Sequence, residues 1–145
     1  MNNTPHLFVY GTLLTAADHP MGARLRAGAT LIGSGWMQAC LYHIDDPEDP
    51  GNRYPGAVPS GHEEDRVFGE VYHLHTVDDL LRAFDVYEAC DATRPEPHEF
   101  LRRRIPITLE DGRVIPAISY FYAWDVSRAS RIPSGRFEEA ARSVR

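Results

Sequence analysis

One carboxylate stands where a helix should be apolar. After Thr76, the residues Val77, Leu80, Leu81 and Phe84 recur at helical spacing, the pattern of an amphipathic helix with one buried face. At about 100° per residue, Leu81 and Phe84 lie about 60° apart around the axis. Glu88 follows Phe84 by four residues and Leu81 by seven, so it falls between them on the apolar stripe. Burial there would disfavour the charged form and raise the pKa. A glutamate tuned in this way accepts and returns a proton near neutral pH. Two plainer readings stand beside it: the helix ends early and leaves Glu88 in solvent, or Glu88 pairs with an arginine of the following strand.

A second stretch could receive an anion. Leu7-Phe8-Val9-Tyr10 is a continuous apolar run, broken by Gly11 and followed by Thr12-Leu13-Leu14. Such a run reads as a strand buried on both faces. The glycine allows a sharp turn or a close approach of backbone to a ligand. Successive N–H groups in such a loop can face one anion or a developing oxyanion. Taken alone, an ordinary first strand explains it as well.

Other chemically able residues have simpler explanations. His73 and His75 share a strand face if the strand runs on, but no third metal ligand is identifiable. Cys90 lies close to Glu88 without a defined histidine partner, so a cysteine hydrolase is the weaker idea. Asp45, Asp46, Glu48 and Asp49 lack the alternating ligands and distal glutamate of a calcium loop. Tyr120, Tyr122 and Trp124 alternate along the last strand, where they fill a core or offer a hydroxyl to a cavity. Tyr54-Pro55-Gly56 is a rigid loop over that cavity or a plain turn.

The elements that must position these groups follow from turn chemistry and periodicity. A short helical turn spans Asp18–Arg26 and Gly28 ends it. Thr30–Ile44 reads as one bent strand or two short ones, with Gly33 and Gly35 at the bend. Asp45–Gly56 is a loop, Ala57–Ser60 a short strand, Gly61–Asp65 a turn and Arg66–Leu74 a good strand. The helix spans Thr76–Ala89 with Thr76 as N-cap, and Asp91–His98 is a loop. Glu99–Leu109 and Arg113–Trp124 form a hairpin about Glu110-Asp111-Gly112. Pro106 and Pro116 belong at edges or bulges of that hairpin. A last helix is expected from about Gly135. The order has no βαβ alternation, which predicts an α+β fold with a largely antiparallel, possibly closed sheet.

Composition sets the outer bounds. The 145 residues suit one domain, 1–145, with a single core. A net charge of −6 argues against nonspecific nucleic-acid binding. Arg102-Arg103-Arg104 is the one dense basic patch, read as the outward face of a strand. Two cysteines, Cys40 and Cys90, are too few for a disulfide framework, and a reduced cytoplasmic setting is expected. No apolar stretch is long enough to span a membrane, and no secretory signal is visible.

Together these segments resemble the γ-glutamylcyclotransferase-like proteins, in particular the γ-glutamylamine cyclotransferase branch and its bacterial relatives. Phe8-Val9-Tyr10-Gly11-Thr12-Leu13 resembles the family's V-Y-G-T-L loop, and Tyr54-Pro55-Gly56 its Y-P-G segment. Val67-Phe68-Gly69-Glu70-Val71-Tyr72 resembles its V-x-G-E-x-Y strand, and Phe84-Asp85-Val86-Tyr87-Glu88 its L-D-x-Y-E helix end. Phe100, Arg102, Ile105 and Ile107 fit its Y-x-R-x-x-V-x-V strand, Ala117–Tyr120 its A-x-x-Y strand, and Ile132–Gly135 its I-x-x-G. Two departures are Ala89, where the family has glycine, and Phe100, where it has tyrosine.

The resemblance implies a small mixed, mostly antiparallel β-barrel with flanking helices. It implies a γ-glutamyl small-molecule substrate that cyclises to 5-oxoproline and releases an amine or amino acid. Glu88 would be the general acid/base, the amides of Gly11, Thr12 and Leu13 would hold the glutamyl moiety, and Tyr10 and Tyr120 would complete the wall. No metal or cofactor is required by that chemistry. A noncatalytic small-ligand-binding domain of the same fold is the alternative. Nothing in the sequence sets the leaving group or the oligomeric state.

Overall fold

The computed structural model describes residues 5–11, 20–46, 49–51, 53–75, 77–87 and 96–137. Its elements are β1 (His6–Val9), α1 (Pro20–Gly28), β2 (Ala29–Asp45), β3 (Arg53–Pro59), β4 (Arg66–Leu74), α2 (Val77–Tyr87), β5 (Phe100–Leu109), β6 (Val114–Tyr122) and β7 (Ser130–Arg131). Five strands close into a ring. The sheet runs β2-β4-β1-β6-β5, and β5 returns to β2 through Gly35 opposite Leu109 and Trp36 opposite Thr108. Among the described residues, only the β1–β6 contact is parallel, at Leu7 and Ile118. β3 and β7 attach outside the ring, each along β2. The fold is thus a small mixed β-barrel with two helices against it.

The closure divides the apolar side chains into two layers. Phe8, Tyr10, Met37, Leu41, Val67, Val71, Ile107, Leu109, Ala117 and Phe121 fill the barrel. Leu7, Val9, Tyr72, Leu74, Ile118, Tyr120 and Tyr122 point outward, beneath Leu25 of α1 and Leu80 and Phe84 of α2. β1 and the 117–122 part of β6 are therefore buried on both faces, which accounts for the apolar run of β1 and the nearly continuous one of β6, interrupted by the buried Ser119, whose hydroxyl donates to Phe8 O. Leu80 and Phe84 are buried and Val77 and Leu81 pack half-buried beside them, as the helical stripe predicts. Thr76, Glu88 and Ala89 lie outside the described residues.

Several elements match their sequence signals. β4 has the predicted limits, and β2 is one strand with a bulge between Leu31 and Gly33. In the β5–β6 turn, Gly112 takes a left-handed conformation, φ 94°. Its N–H donates to Leu109 O at 2.9 Å, while Leu109 N–H donates to Arg113 O at 2.8 Å. Pro106 pairs with Pro116. Counting in steps of two from the bonded Leu109–Arg113 pair places both prolines at a non-hydrogen-bonded position, where no ladder donor is lost. Arg102, Arg103 and Arg104 are all exposed on β5; neighbours on a strand alternate, so Arg102 and Arg104 share the face of Tyr120 and Ile118 and Arg103 takes the other.

Three expectations are corrected. The Asp45–Gly56 loop ends early, because β3 begins at Arg53 and Tyr54-Pro55-Gly56 is strand, not turn. Pro55 is tolerated because β3 is an edge strand. Ala57 N–H points away from β2, to the Tyr10 hydroxyl, and the position two residues earlier faces the same free side. β6 stops at Tyr122, so Trp124 lies past the strand, 42% exposed. Gly135 opens no helix. It has φ 72° and donates to Ile132 O, and residues 135–137 are extended or bent. The rest of the expected last helix, 138–145, lies outside the described residues.

Candidate functional site

The barrel end where β1 finishes is built around Gly11. A Cβ placed there would come within 2.4 Å of Pro55 Cγ. The glycine is needed because the Pro55 ring rests directly on the backbone. On the other side of Pro55, a Cβ on Gly56 would meet Ile44 Cγ1 at 2.9 Å and Tyr122 Cβ at 3.0 Å. Gly11 and Pro55, 44 positions apart in the sequence, thus join two motifs in one packed contact.

Tyr10 locks this corner. Its ring lies in the barrel interior, 7% exposed. Its hydroxyl donates to Tyr120 O at 2.5 Å and accepts Ala57 N–H at 3.2 Å. One phenol therefore ties β1, β3 and β6 together through main-chain groups. The Tyr120 ring falls in the outer layer instead. The two tyrosines meet through a carbonyl, with their rings on opposite sides of the barrel wall.

The Tyr120 hydroxyl donates to Asp85 Oδ1 at 2.6 Å. Arg102 Nη1 stands 3.3 Å from Asp85 Oδ2. Arg102 and Tyr120 are direct cross-strand partners, so β5 and β6 present a cation and a hydroxyl side by side to one carboxylate on α2. Asp85 lies on the last described turn of α2, one residue after Phe84 and three before Glu88. This arrangement anchors the last described turn of α2 to the β5–β6 pair. Glu88, Thr12, Leu13 and Cys90 lie outside the described residues.

A second polar group lies one strand step along β6. The Tyr54 hydroxyl donates to a carboxylate oxygen of Glu99. Phe100 packs edge-on to Tyr122 at 5.4 Å between centroids and lies 6.1 Å from Tyr54. Burial, with the Glu99 bond and charge, pushes the Tyr54 hydroxyl far above its ordinary pKa, so it remains a donor. Burial and then the charges of Glu99 and Asp125 raise Tyr122 as well.

Residue-by-residue reading missed Glu99 and the roles of Asp85 and Arg102. In the sequence Asp85 stands only within the Phe84–Glu88 motif, and Arg102 within the arginine run and the motif that begins at Phe100. The cross-strand register that joins them appears only in the fold. His73 and His75 sit beside His6 as a row of rings, 5.4 and 6.0 Å between neighbours. Among the described residues no group of three or more His, Cys, Asp or Glu could hold a metal ion. Cys40 is a free thiol donating to Asp65 at 3.3 Å, raised in pKa first by burial and then by that bond. Among the described residues, no helix is long and apolar enough to cross a membrane.

The sequence model of one protein family, described as gamma-glutamyl cyclotransferase, AIG2-like, matches residues 7–139. No curated protein matches the chain. Among solved structures, an AIG2-like protein from Mus musculus is 21% identical with a TM-score of 0.68, over 94% of this chain and 90% of that one. An uncharacterised protein from Pyrococcus horikoshii is also 21% identical, with a TM-score of 0.61 over 97% and 95%. An allophanate hydrolase from Kluyveromyces lactis is 20% identical with a TM-score of 0.62, over 99% of this chain but only 22% of that one. At these identities the structural likeness speaks for the fold.

Proposed function

This chain belongs to the gamma-glutamyl cyclotransferase, AIG2-like family, and on that premise we propose that it converts a γ-glutamyl compound to 5-oxoproline and a free amine or amino acid. The observation that supports this most is the family match over residues 7–139, which runs from β1 past β7. The contact of Gly11 with Pro55 and the anchoring of Asp85 supply the physical setting.

The reaction is an intramolecular acyl transfer. The α-ammonium of the glutamyl moiety gives up a proton, and its nitrogen attacks the γ-carbonyl carbon. The attacking nitrogen sheds its second proton in the tetrahedral intermediate, which collapses with cleavage of the γ-C–N bond as the departing nitrogen takes up a proton. Nucleophile and electrophile belong to one molecule, so correct folding of the substrate supplies much of the rate. Glu88 is assigned as the base for the first proton and the acid for the last. The N–H groups of Gly11, Thr12 and Leu13 are assigned to holding the glutamyl moiety, as main-chain donors turned toward one ligand. Tyr10 and Tyr120 are assigned to the wall, with Tyr10 acting through the main chain that it cross-links.

The test is release of 5-oxoproline from a panel of γ-glutamyl amines and γ-glutamyl peptides. Wild-type protein should turn over at least one. Glu88→Gln should fold normally and lose at least about 100-fold in kcat, the scale of a positioned proton-transfer group. Undiminished turnover in that variant would remove Glu88 from the mechanism. Ligand-induced thermal stabilisation without turnover would indicate a binding domain instead.

A further inference from the structure

β3 is held differently along its two sides. On one it forms a seven-pair antiparallel ladder with β2, from Ala39–Pro59 to Asp45–Arg53. On the other, among the described residues, it is held by packing and by side-chain bonds. Ala57 N–H donates to the Tyr10 hydroxyl, Pro55 rests on Gly11, Gly56 lies under Tyr122, and the Tyr54 hydroxyl donates to Glu99.

Glu99 is a fixed partner. Its carbonyl accepts Ala123 N–H at 2.7 Å, and the carbonyl of Pro97, two residues earlier, accepts Trp124 Nε1–H at 3.1 Å. The segment entering β5 is thereby tied to the end of β6. Tyr54 is followed directly by Pro55, whose φ is locked by its ring. A displacement of Tyr54 is therefore passed to the ring that covers Gly11. The bond is partly buried, with the Phe100 ring beside Tyr54 and the Tyr122 ring beside Phe100.

We infer that the Tyr54–Glu99 hydrogen bond is a latch that seats Pro55 on Gly11, making Tyr54 and Glu99 positioning residues for the loop that receives the glutamyl end of the substrate. The inference rests on the proposed cyclotransferase reading for its kinetic consequence. Its structural consequence, the hold on Gly11, stands apart from that reading. Neither residue is assigned contact with the reacting atoms. Breaking the latch should loosen the free side of β3 and leave its ladder to β2 in place.

The test uses the full chain with Tyr54→Phe, Glu99→Ala, Glu99→Gln and the double variant Tyr54→Phe/Glu99→Ala. Hydrogen exchange is read on peptides containing Gly11 and on peptides from Arg66–Leu74 of β4. With Tyr54→Phe, exchange at Gly11 should rise about tenfold while β4 stays as protected as in wild type, because only a local opening is affected. On the γ-glutamyl compound turned over best, KM should rise about tenfold with kcat within about twofold, the signature of lost binding. The double variant should match its worse single parent, as expected when both changes break one bond. Glu99→Gln should behave as wild type, since its carbonyl oxygen accepts the same hydroxyl.

Unchanged exchange at Gly11 in Tyr54→Phe would overturn the latch. So would loss of protection spread equally to β4, or Glu99→Gln as impaired as Glu99→Ala. Should Glu99→Ala fail to fold, Tyr54→Phe, which removes a single oxygen, still decides the matter. A wild-type protein that releases no 5-oxoproline would defeat the proposed reaction, and the exchange at Gly11 would still decide the latch.

Discussion

Adding a single methyl at Gly11 tests whether the two separated motifs form one contact. Gly11→Ala places a Cβ 2.4 Å from Pro55 Cγ and 3.3 Å from Pro55 Cδ. A proline ring has little freedom to yield, so either β3 or the end of β1 must move. Overpacking of this kind costs about 1–3 kcal/mol. Gly11 is not in a left-handed conformation, so alanine also restricts the unfolded chain and returns about 0.4–1 kcal/mol. At 2.4 Å the clash belongs in the upper part of that range, about 2–3 kcal/mol, so it outweighs the gain and leaves a net loss of about 1–2.6 kcal/mol. Urea denaturation measures this directly, and Tm should fall by about 2–4 °C for each kcal/mol lost. The decisive comparison is the same substitution in a Pro55→Ala background. With the ring gone, Gly11→Ala should become neutral or slightly stabilising, so the pair should couple strongly. An equal loss in both backgrounds would refute the contact, as would a Gly11→Ala protein as stable as wild type.

Two further outcomes can be checked separately. Hydrogen bonds from Ser60, Arg131 and Cys40 hold Asp65 at a pKa of about 2, below the ordinary aspartate value of 3.8. A depressed carboxylate stabilises the fold fully above its unfolded pKa and loses that effect as pH falls through the folded value. The stability gap between wild type and Asp65→Asn should therefore be flat from neutral pH to about pH 4 and close between about pH 4 and 2. A gap that widens on acidification would contradict the assignment. Tyr120→Phe removes the hydroxyl bonded to Asp85 Oδ1 and should cost about 1–2 kcal/mol in urea denaturation, with much of that loss absent in an Asp85→Asn background. Fully additive losses would show that the two groups act independently.

Much of the fold could be read from local pattern. β4 and the β5–β6 hairpin were legible because alternation and Asp111-Gly112 are short-range signals. The stripe of α2 was legible because burial on one face imposes the helical repeat. Tyr54-Pro55-Gly56 misled for a physical reason. Proline and glycine normally punctuate chains, yet here Pro55 sits on a free edge and Gly56 makes room for Tyr122. Trp124 continued an aromatic alternation beyond the last ladder pair, Phe100 with Tyr122.

Local pattern suffices for the apolar faces of the elements, for most of the turns and for the residue types able to do the chemistry. Those properties depend on neighbours a few positions apart. Beyond the reach of local pattern are the seat of Pro55 on Gly11, the cross-link that Tyr10 makes among three strands from inside the barrel, and the convergence of Arg102 and Tyr120 on Asp85. These contacts depend on the closure of β5 onto β2 and on strand register. Both are set by packing between distant parts of the chain, where local propensity carries no information.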